Sequence, residues 1–267
     1  MKNLLTIAGS DCSGGAGIQA DLKTFSAHGT YGMSVITSVV AENTSRVISV
    51  HDVDADVVKD QINAIFEDIR VDGVKVGMLS NAGIMKVVAA KLIEYQAPRP
   101  VVDPVMVAKG GEVLMDGRAL KTLIHELIPA AFLLTPNVPE AEAITGMRIS
   151  TVEDMRDAAR IIYKMGARNV LIKGGHLEGD AEDVLFDGKE FLYFHAKRIH
   201  TKNTHGTGCT YSSAIAANLA KEMEIGEAVG AAKAYITAAI QYAFPVGKGH
   251  GPVNHFFAEE RRICNEI

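Results

Sequence analysis

The sequence predicts an α/β fold in which a mostly parallel central sheet is covered by helices on both faces. Three observations carry this expectation. Six short apolar or β-branched runs recur along the chain, and stretches with helical spacing separate them. Strand–helix alternation of this kind implies right-handed crossovers and a parallel sheet. The residues with the most distinctive chemistry fall just after the runs, where ligands of open parallel sheets bind, beyond the carboxyl ends of the strands.

The elements follow in order. LLTIAG (4–9) reads as a first buried strand, with helical spacing over 16–28. SVITSVVA (34–41) is followed by 55–69, and GVKVGM (73–78) by 82–95. A strand at 100–105 leads to 117–127, FLLTPN (132–137) to 138–145 and 151–165, and NVLIKGG (169–175) closes the alternation. Gly17, Asn81 and Thr151 mark helix starts, and Gly29, Gly146 and Gly166 mark stops. Residues 183–199 break the pattern and predict one antiparallel hairpin at a sheet edge, turning at Asp187-Gly188. Helices are expected at 208–222, 225–242 and 252–264. With no linker or repeat, residues 1–267 are expected to form a single domain.

Composition narrows the function. Hydrophobic residues make up 48% and charged residues 22%, which suffices for a sizeable core without disulfides or metal. The net charge of −5 gives no reason to expect nucleic acid or an anionic membrane surface. Cys12, Cys209 and Cys264 are far apart and form no CxxC, as expected of free thiols in a reducing compartment. The first residues read as a strand rather than a signal peptide, and no apolar stretch reaches about 18 residues, so a cytoplasmic protein is expected.

The motifs sharpen this. Gly206-Thr207-Gly208 opens a helix; inward-pointing amides and the helix N-terminus make an anion hole there, with a glycine-rich packed turn as the alternative. Cys209 stands in the first turn of that helix, where a thiol's pKa is expected to fall; it could serve as nucleophile, general base or anion-sensitive switch. GGAGIQAD (14–21) lacks the dinucleotide spacing and suits close approach of a small flat substrate. Asp103 and Glu140, in DPV and TPNxxE, suit the sparse oxygen ligation of Mg²⁺ on nucleotide phosphates, with capping by Asn137 as the compatible alternative for the second motif. Lys173, ending an apolar strand, could neutralise a transferring phosphate. The nine histidines, His205 included, read as structural or solvent-exposed.

DPV, TPNxxE, KGGH and a late GTG before a helix, in that order, resemble the ribokinase-like superfamily of small-molecule kinases. TIAGSDCSGGAGIQADLKTFSAHG (6–29), VAENT (40–44), NTHGTGCT (203–210) and GKGHGPVNHF (247–256) bring the resemblance closer, to bacterial hydroxymethylpyrimidine/phosphomethylpyrimidine kinases of thiamine biosynthesis. It covers essentially the whole chain. It implies a three-layer α/β/α sandwich, ATP and Mg²⁺, and two successive phosphorylations, of 4-amino-5-hydroxymethyl-2-methylpyrimidine and then of its monophosphate. Cys209 falls where most sugar kinases of the superfamily keep a catalytic aspartate, so it would take the alcohol proton, with Gly206, Thr207 and Gly208 holding the developing charge.

The same resemblance assigns Glu42, Ala16, Asp21, Met78 and Val105 to the pyrimidine pocket. Lys173, Asn137, Asp103 and Glu140 go to the nucleotide, and Asp103 and Glu140 to the metal. Glu42 replaces the family's frequent glutamine and can accept from the exocyclic amine. A pyridoxal kinase on the same scaffold is the alternative; Ala108, where dual-function relatives carry a second cysteine, disfavours it. A pyrimidine-binding module without catalysis is disfavoured by the phosphate motifs, and a dehydrogenase lacks its fingerprint. A homodimer is the expected assembly for such a kinase.

Overall fold

The computed structural model describes residues 1–107, 115, 117–177 and 179–258. Ala108, Cys264 and most of the 106–113 loop therefore lie outside the described residues. Nine strands form one sheet in the order β3-β2-β1-β4-β5-β6-β7-β8-β9. They are β1 (Asn3–Asp11), β2 (Tyr31–Asn43), β3 (Arg46–Asp52), β4 (Gly73–Val76), β5 (Val101–Val102), β6 (Leu133–Leu134), β7 (Val170–Ile172), β8 (Ala181–Phe186) and β9 (Phe191–Ala196). The six strands from β2 to β7 in that order are parallel, and the β8–β9 hairpin is antiparallel, as the sequence indicated.

A second antiparallel edge was not expected: β3 turns back on β2. Its sequence, RVISVHD, has β-branched Val47, Ile48 and Val50 but buries neither face, so it lacks the alternation with buried positions on which a sequence reading relies. Elsewhere the apolar runs are explained by helices on both faces, which leave no polar side. Leu5, Ile7, Val102, Leu134, Val170 and Ile172 face one core, against α2 (Ala55–Asp68), α3 (Ala82–Glu94), α5 (Val138–Thr145) and α6 (Val152–Lys164). Their neighbours Leu4, Val101, Leu133 and Leu171 face the other, against α1 (Gly17–Ala27), α7 (Thr207–Ala220) and α8 (Ile225–Gln241). In β4, Val74 and Val76 obey this alternation, and the residue between them on the second face is Lys75, fully buried.

Local signals set several helix ends. Asn81 caps α3, and capping boxes start α5 (Asn137 with Glu140) and α6 (Thr151 with Asp154). Gly146 ends α5 in the left-handed conformation. The expected helix at 117–127 is α4 (Gly117–Thr122) followed by a π-helical turn, Leu123–Leu127. The helix expected at 252–264 does not begin at Pro252, which pairs with His205 in an isolated bridge; among the described residues of that range helical geometry starts at 257, and 259–264 lie outside them.

Candidate active site

At the carboxyl ends of β5, β6 and β7, three side chains converge. Asp103 is buried, and its Oδ1 accepts from Lys173 Nζ at 2.6 Å and Thr135 Oγ1 at 3.1 Å. Glu140 is also buried and belongs to the α5 capping box, its Oε2 accepting from the Asn137 amide at 2.8 Å. Burial pushes the Glu140 carboxyl up to about 7 despite the pull of Lys173, with Asp103 adding to the rise. For Lys173, burial is overcome by Asp103 and Glu140, which hold the ammonium above its ordinary value. Asn137 and Lys173 are bridged through their backbones, so capping and clustering are realised together.

The GTG turn lies directly over this cluster. A β-carbon built on Gly208 would stand 3.3 Å from Asp103 Oδ2 and 3.5 Å from Lys173 Nζ. Gly206, which caps α7, adopts φ +76°, and a β-carbon there would run into the carbonyl oxygen of Gly15. Position 206 must therefore be glycine, because two loops meet with no room for a side chain. The Thr207 amide is committed to the Thr204 carbonyl at 3.3 Å.

Cys209 follows, partly accessible, in the first turn of α7, and accepts a hydrogen bond from the amide of Gly17, first residue of α1. Two helix N-termini thus converge on its sulfur. The expected fall in pKa is nevertheless reversed: burial pushes the thiol up to about 11. Lys75 and the Gly17 amide pull it down only in part, while Asp21 and Asp103 raise it further. Loss of water outweighs the helix electrostatics on which the sequence reading relied.

The remaining predicted residues, spread over the start of α1, the end of β2 and the segments after β4 and β5, separate into two groups. Ala16, Glu42, Met78 and Val105 are half-buried near the strand ends, Met78 lying against Gly9. Asp21 is different and corrects the expectation of substrate contact. It is fully buried; Lys75 Nζ reaches its two oxygens at 2.9 and 2.8 Å, Thr6 Oγ1 donates at 2.6 Å and Ser213 Oγ at 2.7 Å. A carboxylate so filled has no surface or lone pair left for a ligand. Burial alone would lower the Lys75 ammonium, but Asp21, then Cys209 and Asp103, hold it above its ordinary value. The lysine inside GVKVGM was the sequence signal for this pair.

Of the two readings for His205, structural or solvent-exposed, the first holds: it is buried, and its Nε2 is 2.8 Å from Oδ2 of the buried Asp11. Burial opposes ionisation of Asp11, yet hydrogen bonds from His205, Ser13 and Ala16 hold it well below the usual carboxylate range. The turn after β2 is fixed by the late glycine loop, as Gly249 and His250 donate to Thr44 at 3.0 and 2.7 Å. The His205 amide in turn donates to the Gly251 carbonyl at 3.0 Å. The motifs SGGAG, AENT, HGTGC and GKGHG therefore meet at one place.

Comparison with known proteins gives a consistent result. The family described as phosphomethylpyrimidine kinase matches residues 11–254. The chain is 49% identical to the hydroxymethylpyrimidine/phosphomethylpyrimidine kinase of Bacillus subtilis, covering 94% of each. It is 56% identical over 97% of its length to the thiamine biosynthesis bifunctional protein ThiED of Geobacter sulfurreducens, of whose length it spans 53%. Among solved structures, the ADP complex of Bacillus subtilis pyridoxal kinase superimposes with a TM-score of 0.90 at 42% identity, covering 97% of this chain and 99% of that one.

Proposed function

The chain belongs to the phosphomethylpyrimidine kinase family, and from that premise we propose that it is an ATP-dependent kinase acting twice in thiamine biosynthesis. It phosphorylates 4-amino-5-hydroxymethyl-2-methylpyrimidine and then converts the monophosphate to the diphosphate. The observation that carries this reading is the GTG turn resting on the Asp103–Lys173 pair, with Cys209 beside it. An anion hole over a lysine and two buried carboxylates suits phosphoryl transfer, where positioning and charge stabilisation supply most of the catalysis.

In the proposed arrangement the Gly206 and Gly208 amides meet the transferring phosphate, since that of Thr207 is engaged, and Lys173 bridges phosphates with Asn137 at the edge of the nucleotide site. Glu42, Ala16, Met78 and Val105 contact the pyrimidine; Asp21 supports them from beneath. Asp103 and Glu140 are the proposed Mg²⁺ ligands. Asp103 Oδ2 faces the turn while Oδ1 is occupied, and Glu140, raised to about 7, ionises readily beside a cation. This sparse oxygen set fits Mg²⁺, which would offset charge on the phosphates.

Cys209 is a thiol in the free protein, because its pKa stands at about 11. Its task is therefore to fix the hydroxymethyl oxygen; the alcohol proton passes to an oxygen of the transferring phosphoryl group as the new O–P bond forms and the bond to the ADP oxygen breaks. We further propose one kinase domain, a cytoplasmic location and a homodimer; among the described residues no helix is long and apolar enough to cross a membrane. The likeness to a pyridoxal kinase structure supports a slower pyridoxal activity on the same site as a second reading. Incubation with ATP, Mg²⁺ and either the pyrimidine alcohol or pyridoxal, read by mass spectrometry, tests both. Mono- and diphosphorylated pyrimidine are expected, and their absence would refute the first reading.

A further inference from the structure

Between the pyrimidine side and the phosphate side lies a buried bond that the transfer reaction does not itself use. Asp11 ends β1. Its Oδ1 accepts from the Ser13 amide at 2.7 Å, and its Oδ2 from the amides of Gly15 at 3.0 Å and Ala16 at 2.7 Å. One carboxylate thus shapes the whole loop over residues 12–16. The same Oδ2 lies 2.8 Å from His205 Nε2, and the two side chains are 1% and 10% exposed. Ionised Asp11 can only accept, so His205 Nε2 carries the proton and donates it.

The two loops leave no slack around this bond. A β-carbon on Gly15 would run into the His205 ring, as one on Gly206 would into the Gly15 carbonyl. His205 precedes the GTG turn directly, four residues before Cys209, while Asp11 holds the amide of Ala16. The carboxylate of Glu42 completes the group, its ligand atom and those of Asp11 and His205 lying within 4.8 Å of one another. These three could be read as a cation site, but Asp11 Oδ2 already takes three hydrogen bonds and Oδ1 a fourth, and His205 Nε2 gives its proton to Asp11 rather than offering a lone pair.

We propose that Asp11 and His205 are positioning residues for phosphoryl transfer, their buried bond fixing the spacing between the pyrimidine-facing loop and the turn that carries Cys209. The proposal rests on the kinase reading above. The 12–16 loop lies on the pyrimidine side, through Ala16, while the GTG turn carries both the phosphate-binding amides and Cys209, which fixes the acceptor oxygen. Any loosening therefore acts on the approach of the reacting atoms rather than on nucleotide affinity. A misplacement of about 1 Å costs on the order of 100-fold in rate.

The test compares His205→Leu with His205→Gln, whose side-chain amide can still donate towards Asp11. With the pyrimidine alcohol, ATP and Mg²⁺, His205→Leu is expected to lower kcat about 100-fold while KM for ATP stays within about two-fold. His205→Gln is expected to recover kcat to within about ten-fold of the wild type. Unchanged kcat in His205→Leu, or equal losses in the two variants, would overturn the positioning role. Should His205→Leu fail to fold, His205→Asn takes its place, with a donor too short to reach Asp11; wild-type kcat in that variant overturns the proposal and a comparable loss supports it. Absence of phosphorylated product from the wild type would instead overturn the kinase reading, and this role with it.

Discussion

The reactivity of Cys209 can be titrated to separate burial from helix electrostatics. With the thiol pushed up to about 11, the thiolate fraction at pH 8 is about 10⁻³. An ordinary thiol near about 8.5 would be roughly one quarter ionised at that pH, a difference of more than about 200-fold. Alkylation by iodoacetamide, followed by mass spectrometry of the peptide containing Cys209, reads this fraction. Cys12, exposed in the 12–16 loop, serves as accessible control in the same digest. The Cys209 rate should climb about ten-fold per pH unit from pH 7 to pH 10 without a plateau, since only the thiolate reacts. A plateau below pH 9 would refute the reasoning and show that the N-termini of α1 and α7, with Lys75, prevail over burial. Cys209→Ser, which keeps a hydroxyl of similar placement, should then retain the first phosphorylation to within about ten-fold, whereas removal of a general base costs about 10²–10⁴.

Three other outcomes follow from the packing. Lys75→Met strands the Asp21 carboxylate in the core and should cost about 3–5 kcal/mol in urea unfolding, largely restored by adding Asp21→Asn; a loss below about 1 kcal/mol would contradict the buried pair. His255, whose Nε2 lies 3.0 Å from Thr210 Oγ1, has its pKa lowered by burial to about 4, so the unfolded chain binds its proton first and stability falls as pH drops from about 6.5 towards 4. The full window is worth about 3 kcal/mol, and because Glu140, raised to about 7, slopes the opposite way, the reading is the difference between wild type and His255→Gln, which should lose this component. Gly206→Ala places a methyl against the Gly15 carbonyl in a left-handed conformation; a loss of about 1–3 kcal/mol with collapse of activity is expected, and wild-type behaviour would show that the loops can part.

The sequence by itself determined the strand–helix alternation, the β8–β9 hairpin, the caps at Asn81, Asn137 and Thr151, and the strand-end positions of Asp103, Lys173 and the GTG turn. These depend on residue type and spacing over a few positions, and such local physics is legible along a chain. Only the tertiary structure decided which ionisable groups meet and what water they lose. Asp11 and His205 pair across 194 positions, and Asp21 meets Lys75 across 54. Neither Asp21 nor His205 identifies its partner along the chain, so Asp21 read as a ligand contact and His205 only as structural or solvent-exposed. Cys209 makes the same point in energy: its place in a helix's first turn is a local fact, but its protonation follows from the desolvation imposed when α1 and α7 pack over the sheet, and that term is the larger.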